Sequence, residues 1–201
     1  MIKKVFLTIK EIKKTAYHHY GNNSLSIVKF LYYSMFRVNT FIVFQNTFTE
    51  EVPQYDFDPG FRVVQPTLQE LDEIRKGKEL TREFYCDKTQ KLRTCFLALF
   101  GDEIAYIHWV CFKGDYSRFL KMGDNVAEIN YVTTLPKFRG KRLSAKMFAY
   151  TTKCLQTMGY KKIIIICHEE NPPIIKSFKL AGYKEVCRIK ALGPFNKKIN
   201  V

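Results

Sequence analysis

Two rhythms of apolar and polar positions run along this chain of 201 residues. Ile163 to Cys167 has no polar position, and its four isoleucines predict a strand buried on both faces. Leu92 to Phe100 and Ile104 to Phe112 are apolar runs joined by Gly101-Asp102-Glu103, which predicts a hairpin. Phe61 to Gln65, Val126 to Leu135 and Tyr183 to Ala191 predict further strands, and Lys197 to Val201 a last short one. The other rhythm is helical. Leu68, Leu71 and Ile74 follow Thr67, with Glu70 placed to complete a capping box. Glu79 to Cys86 predicts a second short helix. Leu143, Met147, Tyr150, Cys154 and Met158 predict a long helix over Arg142 to Met158, which Gly159 stops. Asn171 is placed to cap a helix that opens with Pro172 and Pro173 and ends at Gly182. The order β-α-α-β-β-β-α-β-α-β gives an α/β class: a mixed sheet, mostly antiparallel, with one parallel β-α-β crossover.

Upstream the pattern changes. Residues 1–20 and 24–36 each predict a helix, and Asn39 to Asn46 a strand. The acidic stretch Thr49 to Gly60 holds two prolines and reads as a linker or an extended crossing segment. The expected division is therefore a basic, aromatic N-terminal extension over 1–56 and a principal domain over 57–201. Residues 1–47 carry seven Lys and Arg against the single acid Glu11. Two readings stay open: an amphipathic arm that touches a membrane surface or partner, or a cap that packs its Phe and Tyr side chains on the main domain.

Composition narrows this picture. At 46% hydrophobic and 26% charged residues the chain falls in the folded, globular class. Its net charge of +14 favours anionic partners without choosing among phosphates, nucleic acid, acidic proteins and lipid surfaces. The six cysteines show no CxxC pair and no metal-ligand spacing, so they read as reduced core residues and no metal is expected. No apolar stretch has the length of a membrane span, and Met1 to Lys14 lacks the apolar core of a signal peptide. The expected location is cytoplasmic, with peripheral contact at the inner membrane face left open.

The richest segment runs from Glu128 to Ser144: strand, turn, basic loop, helix. A helix start carries unpaired N–H groups and partial positive charge, which phosphate oxygens satisfy. Gly140 permits close backbone approach, and Lys137, Arg139, Lys141 and Arg142 add charge. The GK[ST] ending of a P-loop and the GxGxxG glycines of a dinucleotide fold are both missing. By themselves these residues fit a phosphate cradle or an ordinary turn with a charged surface.

Lys137-Phe138-Arg139-Gly140-Lys141-Arg142 resembles the Q/R-x-x-G-x-G/A loop of the GCN5-related N-acetyltransferases, the GNAT superfamily. Arg142 departs from it where a small residue is usual, and Lys137 departs mildly. The element order from Phe61 to Ala191 is similar to the family's, as is the spacing from Asn171 to Gly182-Tyr183. The resemblance implies an acyltransferase fold with acetyl-CoA as the acyl donor. It implies donor contacts from Val132, Thr133, Thr134, Lys137, Phe138, Arg139, Gly140, Lys141, Arg142, Leu143, Ser144, Asn171 and Phe178. It also places a general base at Glu128, otherwise a structural carboxylate paired with a lysine. By strand alternation Glu128 would share a face with Asn130, Val132 and Thr134.

Many relatives carry a tyrosine acid at the position of Phe178, which has no proton to give. Water, Ser177 or Tyr183 are the substitutes, unless a thiolate leaves unaided or the site is inactive. His168, with Glu169 and Glu170, reads as a solvated turn or a contact for a cationic acceptor; His108 reads as a packed core residue. Functionally the resemblance implies N-acetyl transfer from acetyl-CoA to an amine of a small molecule or sugar. Alternatives are longer-chain transfer from acyl-CoA or acyl carrier protein at a membrane, and a non-catalytic CoA-binding module. No nucleic-acid motif supports the charge-based reading of a nucleic-acid binder.

Overall fold

The computed structural model describes Lys13 and residues 23–36, 38–49, 51–192 and 197–198. The helix expected over residues 1–20 lies outside the described residues except at Lys13, as do residues 199–201 of the last expected strand. The chain forms two compact units, Ile42–Arg188 and Met1–Phe41 with Ile189–Val201.

In the smaller unit, α1 spans Ser24–Phe36. Asn23 precedes it, and its Oδ1 accepts the Ser26 N–H at 2.9 Å, the side-chain bond that starts a helix. Ala191 and Leu192 there pair antiparallel with Lys198 and Lys197.

The larger unit holds strands in the order β2-β3-β4-β5-β6-β1-β7. These are β1 (Val38–Asn46, from Ile42 onward in this unit), β2 (Phe61–Val64), β3 (Thr94–Phe100), β4 (Glu103–Cys111), β5 (Val126–Thr134), β6 (Lys162–His168) and β7 (Lys184–Leu192, up to Arg188). β2 to β5 pair antiparallel and β5 pairs parallel with β6, the mixed sheet that the pattern predicts. The helices are α2 (Leu68–Arg75), the single turn α3 (Cys86–Thr89), α4 (Leu143–Thr157) and α5 (Pro172–Leu180). Thr67 and Glu70 form the expected capping box on α2. No helix among the described residues is long and apolar enough to cross a membrane.

The division falls elsewhere than the composition suggested. The shift from basic to acidic sequence near residue 56 is not where the structure divides, because Ile42 and Phe44 are buried in the core of the larger unit. The Phe44 ring packs at a tilt against that of Phe178, with centroids 5.4 Å apart. The Asn46 amide donates to the Gly182 carbonyl at 3.1 Å. The proline-containing stretch is the extended crossing segment of the two readings. Val52 is buried, the Tyr55 hydroxyl donates to the Leu180 carbonyl at 2.7 Å, and Lys146 pairs with Asp58.

Each sheet face has its own core. Ala127, Ile129, Met147, Phe148 and Phe178 pack on the side of α4 and α5. Leu71, Phe84, Cys95, Trp109 and Cys111 pack on the side of α2 and α3. Arg75 ties α2 to α3 through Asp87 and the Phe84 carbonyl, each at 2.7 Å. His108 is a core residue. Its Nδ1 lies 2.9 Å from the Tyr106 hydroxyl and its Nε2 3.1 Å from that of Thr151. Burial lowers its pKa to about 3, so the ring is neutral.

Two irregularities in β5 create the site. Trp109 faces Asn130 but Ile107 faces Thr133, so β5 carries one extra residue, and Tyr131 takes φ 50°. On the other edge, parallel pairing with β6 runs from Val126↔Lys162 only to Ile129↔Ile165. Both strands continue, to Thr134 and to His168, so the sheet opens between them.

Candidate functional site

The cleft begins at that opening. Beyond β5 the chain makes a 3-10 turn over Pro136–Phe138 and then enters the basic loop. Arg139 folds back, its Nε donating to the Thr134 carbonyl at 3.1 Å. Gly140 has φ 84°, and a side chain there would meet no atom within 4 Å, so its backbone stands clear. Arg142 precedes α4 in the left-handed region, φ 55°, and makes no capping bond. The first turn of α4 contains no acid, so its leading N–H groups have no side-chain partner. The hydroxyls of Thr134 and Ser144 lie 3.1 Å apart and tie the strand end to the helix start.

The opposite wall is α5. Asn171 precedes it as expected, but its side chain makes no capping bond and lines the cleft instead. Pro173, Ile174, Lys176, Ser177 and Leu180 line the cleft as well. The sequence marks Ser177 as a candidate acid and Pro173 as a helix opener, while Ile174, Lys176 and Leu180 carry no motif of their own. Their signal was the helical spacing from 173 to 180. The cleft measures about 580 Å³, and Arg139, Arg142 and Lys176 line it with no acidic residue among its walls. An uncapped helix start, a free strand edge and three cations fit a ligand with several phosphate charges and an extended polar arm.

Of the residues singled out as donor contacts, Val132, Thr133, Thr134, Phe138, Arg139, Gly140, Arg142, Leu143, Ser144 and Asn171 line this cleft. Three do not. Lys137 pairs with Glu103 at 2.8 Å, a partner supplied by the start of β4. The Lys141 ammonium lies 5.9 Å from each of the Phe61 and Phe100 rings. Phe178 is buried between Phe44 and Phe148, because a ring without a hydroxyl gains nothing by facing a polar cleft. Tyr183 is also buried, its hydroxyl 2.6 Å from that of Thr152, so it cannot deliver a proton into the cleft. The Ser177 hydroxyl does line it, while donating to the Pro173 carbonyl at 3.0 Å.

Glu128 is 1% exposed. No lysine among the described residues pairs with it. Its Oε1 accepts from the Asn130 amide at 3.3 Å and its Oε2 has no hydrogen-bond partner. Burial raises its pKa to about 7, with the Ser117 hydroxyl opposing the shift. Strand alternation misplaced its neighbours. Glu128 and Asn130 stand opposite Cys111 and Trp109, on the α2 face. The extra residue at Tyr131 turns Val132 and Thr134 to the other face, where Val132 joins the α4 core and Thr134 reaches Ser144. Glu128 faces Ile164 across the parallel pair, one step below the opening. His168 sits at the end of β6, where its Nδ1 accepts the Glu170 N–H at 3.1 Å, and Glu169 pairs with Arg188 at 3.4 Å.

A family model described as the acetyltransferase (GNAT) family matches residues 61–183, the span from β2 to Tyr183. No curated protein matches the sequence. Among solved structures, a GCN5-related N-acetyltransferase from Sphaerobacter thermophilus is 13% identical with a TM-score of 0.54, covering 83% of this chain and 55% of that one. Another from Kribbella flavida is 13% identical with a TM-score of 0.52, covering 80% and 60%. A glucosamine N-acetyltransferase region of a fungal multi-domain GH3 beta-N-acetylglucosaminidase is 12% identical with a TM-score of 0.59, covering 84% and 23%. At these identities the likeness is one of fold. The chain spans less than two thirds of the length of each.

Proposed function

The chain belongs to the acetyltransferase (GNAT) family, and on that premise we propose that it transfers an acyl group, most simply acetyl, from coenzyme A to an amine of a small molecule or sugar. The observation that carries this reading is the opening between β5 and β6, which ends at the uncapped, cationic start of α4. Bound acetyl-CoA supplies an activated thioester. The free edge of β5 at Val132 and Thr134 offers main-chain partners to an amide-bearing arm. The N–H groups from Gly140 to Ser144, with Arg139 and Arg142, meet the pyrophosphate, and Lys176 adds charge from the α5 wall.

The donor enters on the α4 side and the amine approaches from the α2 side, where Glu128 lies below the gap. Near neutral pH the Glu128 carboxylate accepts the proton that the amine loses as its nitrogen bonds the acyl carbon and the carbon–sulfur bond breaks. Asn130 holds that carboxylate in place. The coenzyme leaves as its thiolate, a fair leaving group without a tyrosine acid.

Titration calorimetry with acetyl-CoA, on the wild type and on Gly140→Asp, tests the reading. The substitution puts a carboxylate into the cationic loop at a backbone conformation that side chains rarely adopt. Micromolar binding that the variant loses supports the donor site and leads to an acceptor screen. No binding by the folded wild type overturns it. A second reading, coenzyme binding without turnover, is favoured by Phe178, and binding without transfer to any of a broad panel of amines would establish it.

A further inference from the structure

The smaller unit carries a surface that the proposed reaction does not use. Leu25, Val28 and Leu31 of α1 are 63%, 61% and 44% exposed. Their spacing places them on one side of the helix, beside the exposed Lys29, while the opposite side turns Ser26 inward. Three apolar side chains are thus left in solvent on that side of α1. Leu192, near the C-terminal end of the same unit, is also exposed.

Charge is concentrated in the same unit. Met1–Phe41 and Ile189–Val201 together hold ten Lys and Arg and a single acid, a balance of +9 out of the chain's +14. Lys13, Lys29 and Lys190 are exposed in it, and Lys197 and Lys198 pair there with Leu192 and Ala191.

We propose that the apolar face of α1 docks this unit on an anionic lipid surface. Leucine and valine side chains enter the boundary between headgroups and acyl chains, and the lysines meet the negative surface potential. A nucleic acid would use the charge but leave the apolar face in water. A second copy would cover the apolar face but bring two strongly positive units together. The lipid surface satisfies both features.

Flotation of the full chain with phosphatidylcholine vesicles, with and without phosphatidylglycerol, tests this. The wild type is expected to float only with the anionic vesicles, and less so as salt rises. Leu25→Ser/Val28→Ser/Leu31→Ser, with charge unchanged, is expected to bind about tenfold more weakly. Lys190→Ser/Lys197→Ser/Lys198→Ser is expected to lose on the order of a hundredfold. Both variants keep wild-type acetyl-CoA affinity, since none of these residues lines the cleft. Failure of the wild type to float overturns the proposal, as does an apolar variant that floats as well as wild type. Concentration-dependent dimers that the apolar substitutions abolish would make a second copy the occupant. Equal affinity for plain duplex DNA, unaffected by the apolar substitutions, would make the charge alone responsible.

Discussion

Thr134 Oγ1 and Ser144 Oγ lie 3.1 Å apart, joining the last residue of β5 to the first turn of α4. The bond fixes the angle between the free strand edge and the helix start, the two features that build the cleft. Thr134→Val keeps the shape and removes the hydroxyl. We expect it to cost about 1 kcal/mol of stability in urea titration and to weaken acetyl-CoA several-fold in calorimetry. Unchanged affinity would show that the loop holds its shape without the tie.

Arg142 separates two effects of one side chain. It occupies φ 55°, a left-handed conformation that costs a side-chain-bearing residue about 1–2 kcal/mol. Arg142→Gly relieves that strain, partly offset by the greater freedom of glycine in the unfolded chain. We expect thermal stability equal to or slightly above wild type, together with weaker and less salt-dependent acetyl-CoA binding. Loss of stability would mean that the arginine makes a contact worth more than its strain.

Glu128 gives a pH signature. Folded, its carboxyl keeps its proton up to about pH 7, whereas an ordinary glutamate releases it near 4.5. Stability should therefore fall as pH rises from about 4.5 to 7 and level off above, by roughly 3 kcal/mol in all. Glu128→Gln should flatten that profile in denaturant titrations at several pH values. If Glu128 is the base, the same variant loses turnover while acetyl-CoA affinity stays at the wild-type value.

Phe178→Tyr introduces a hydroxyl at the position where the family resemblance implies an acid, but Phe178 is packed against Phe44 and Phe148. The buried hydroxyl finds no partner there, so we expect a loss of about 1–3 kcal/mol and no gain in acyl transfer. A rise in transfer rate would show that the ring can swing into the cleft.

Phe44 tests where the larger unit begins. It is fully buried in that unit's core, so Phe44→Ala should cost about 3–5 kcal/mol by urea denaturation. A loss below about 1 kcal/mol would return residues before 57 to the status of an appendage.

Much of this was legible in the residues. The isoleucine run at 163–166, the hairpin about Gly101 and the caps at Thr67 and Gly159 set the elements, because period, capping and turn chemistry act over a few neighbouring residues. The Gly140 loop identified one wall of the cleft for the same reason. What the sequence determined by itself was thus the order of elements and the chemistry of one loop. Tertiary structure alone decided that β1 is inserted between β6 and β7, that the strands part beyond Ile129, that α5 forms the second wall, and that an extra residue at Tyr131 sets Glu128 on the face opposite Thr134. These are pairings between residues far apart in the chain, and a strand's register and partners depend on which distant surfaces are buried together, not on the pattern within the strand.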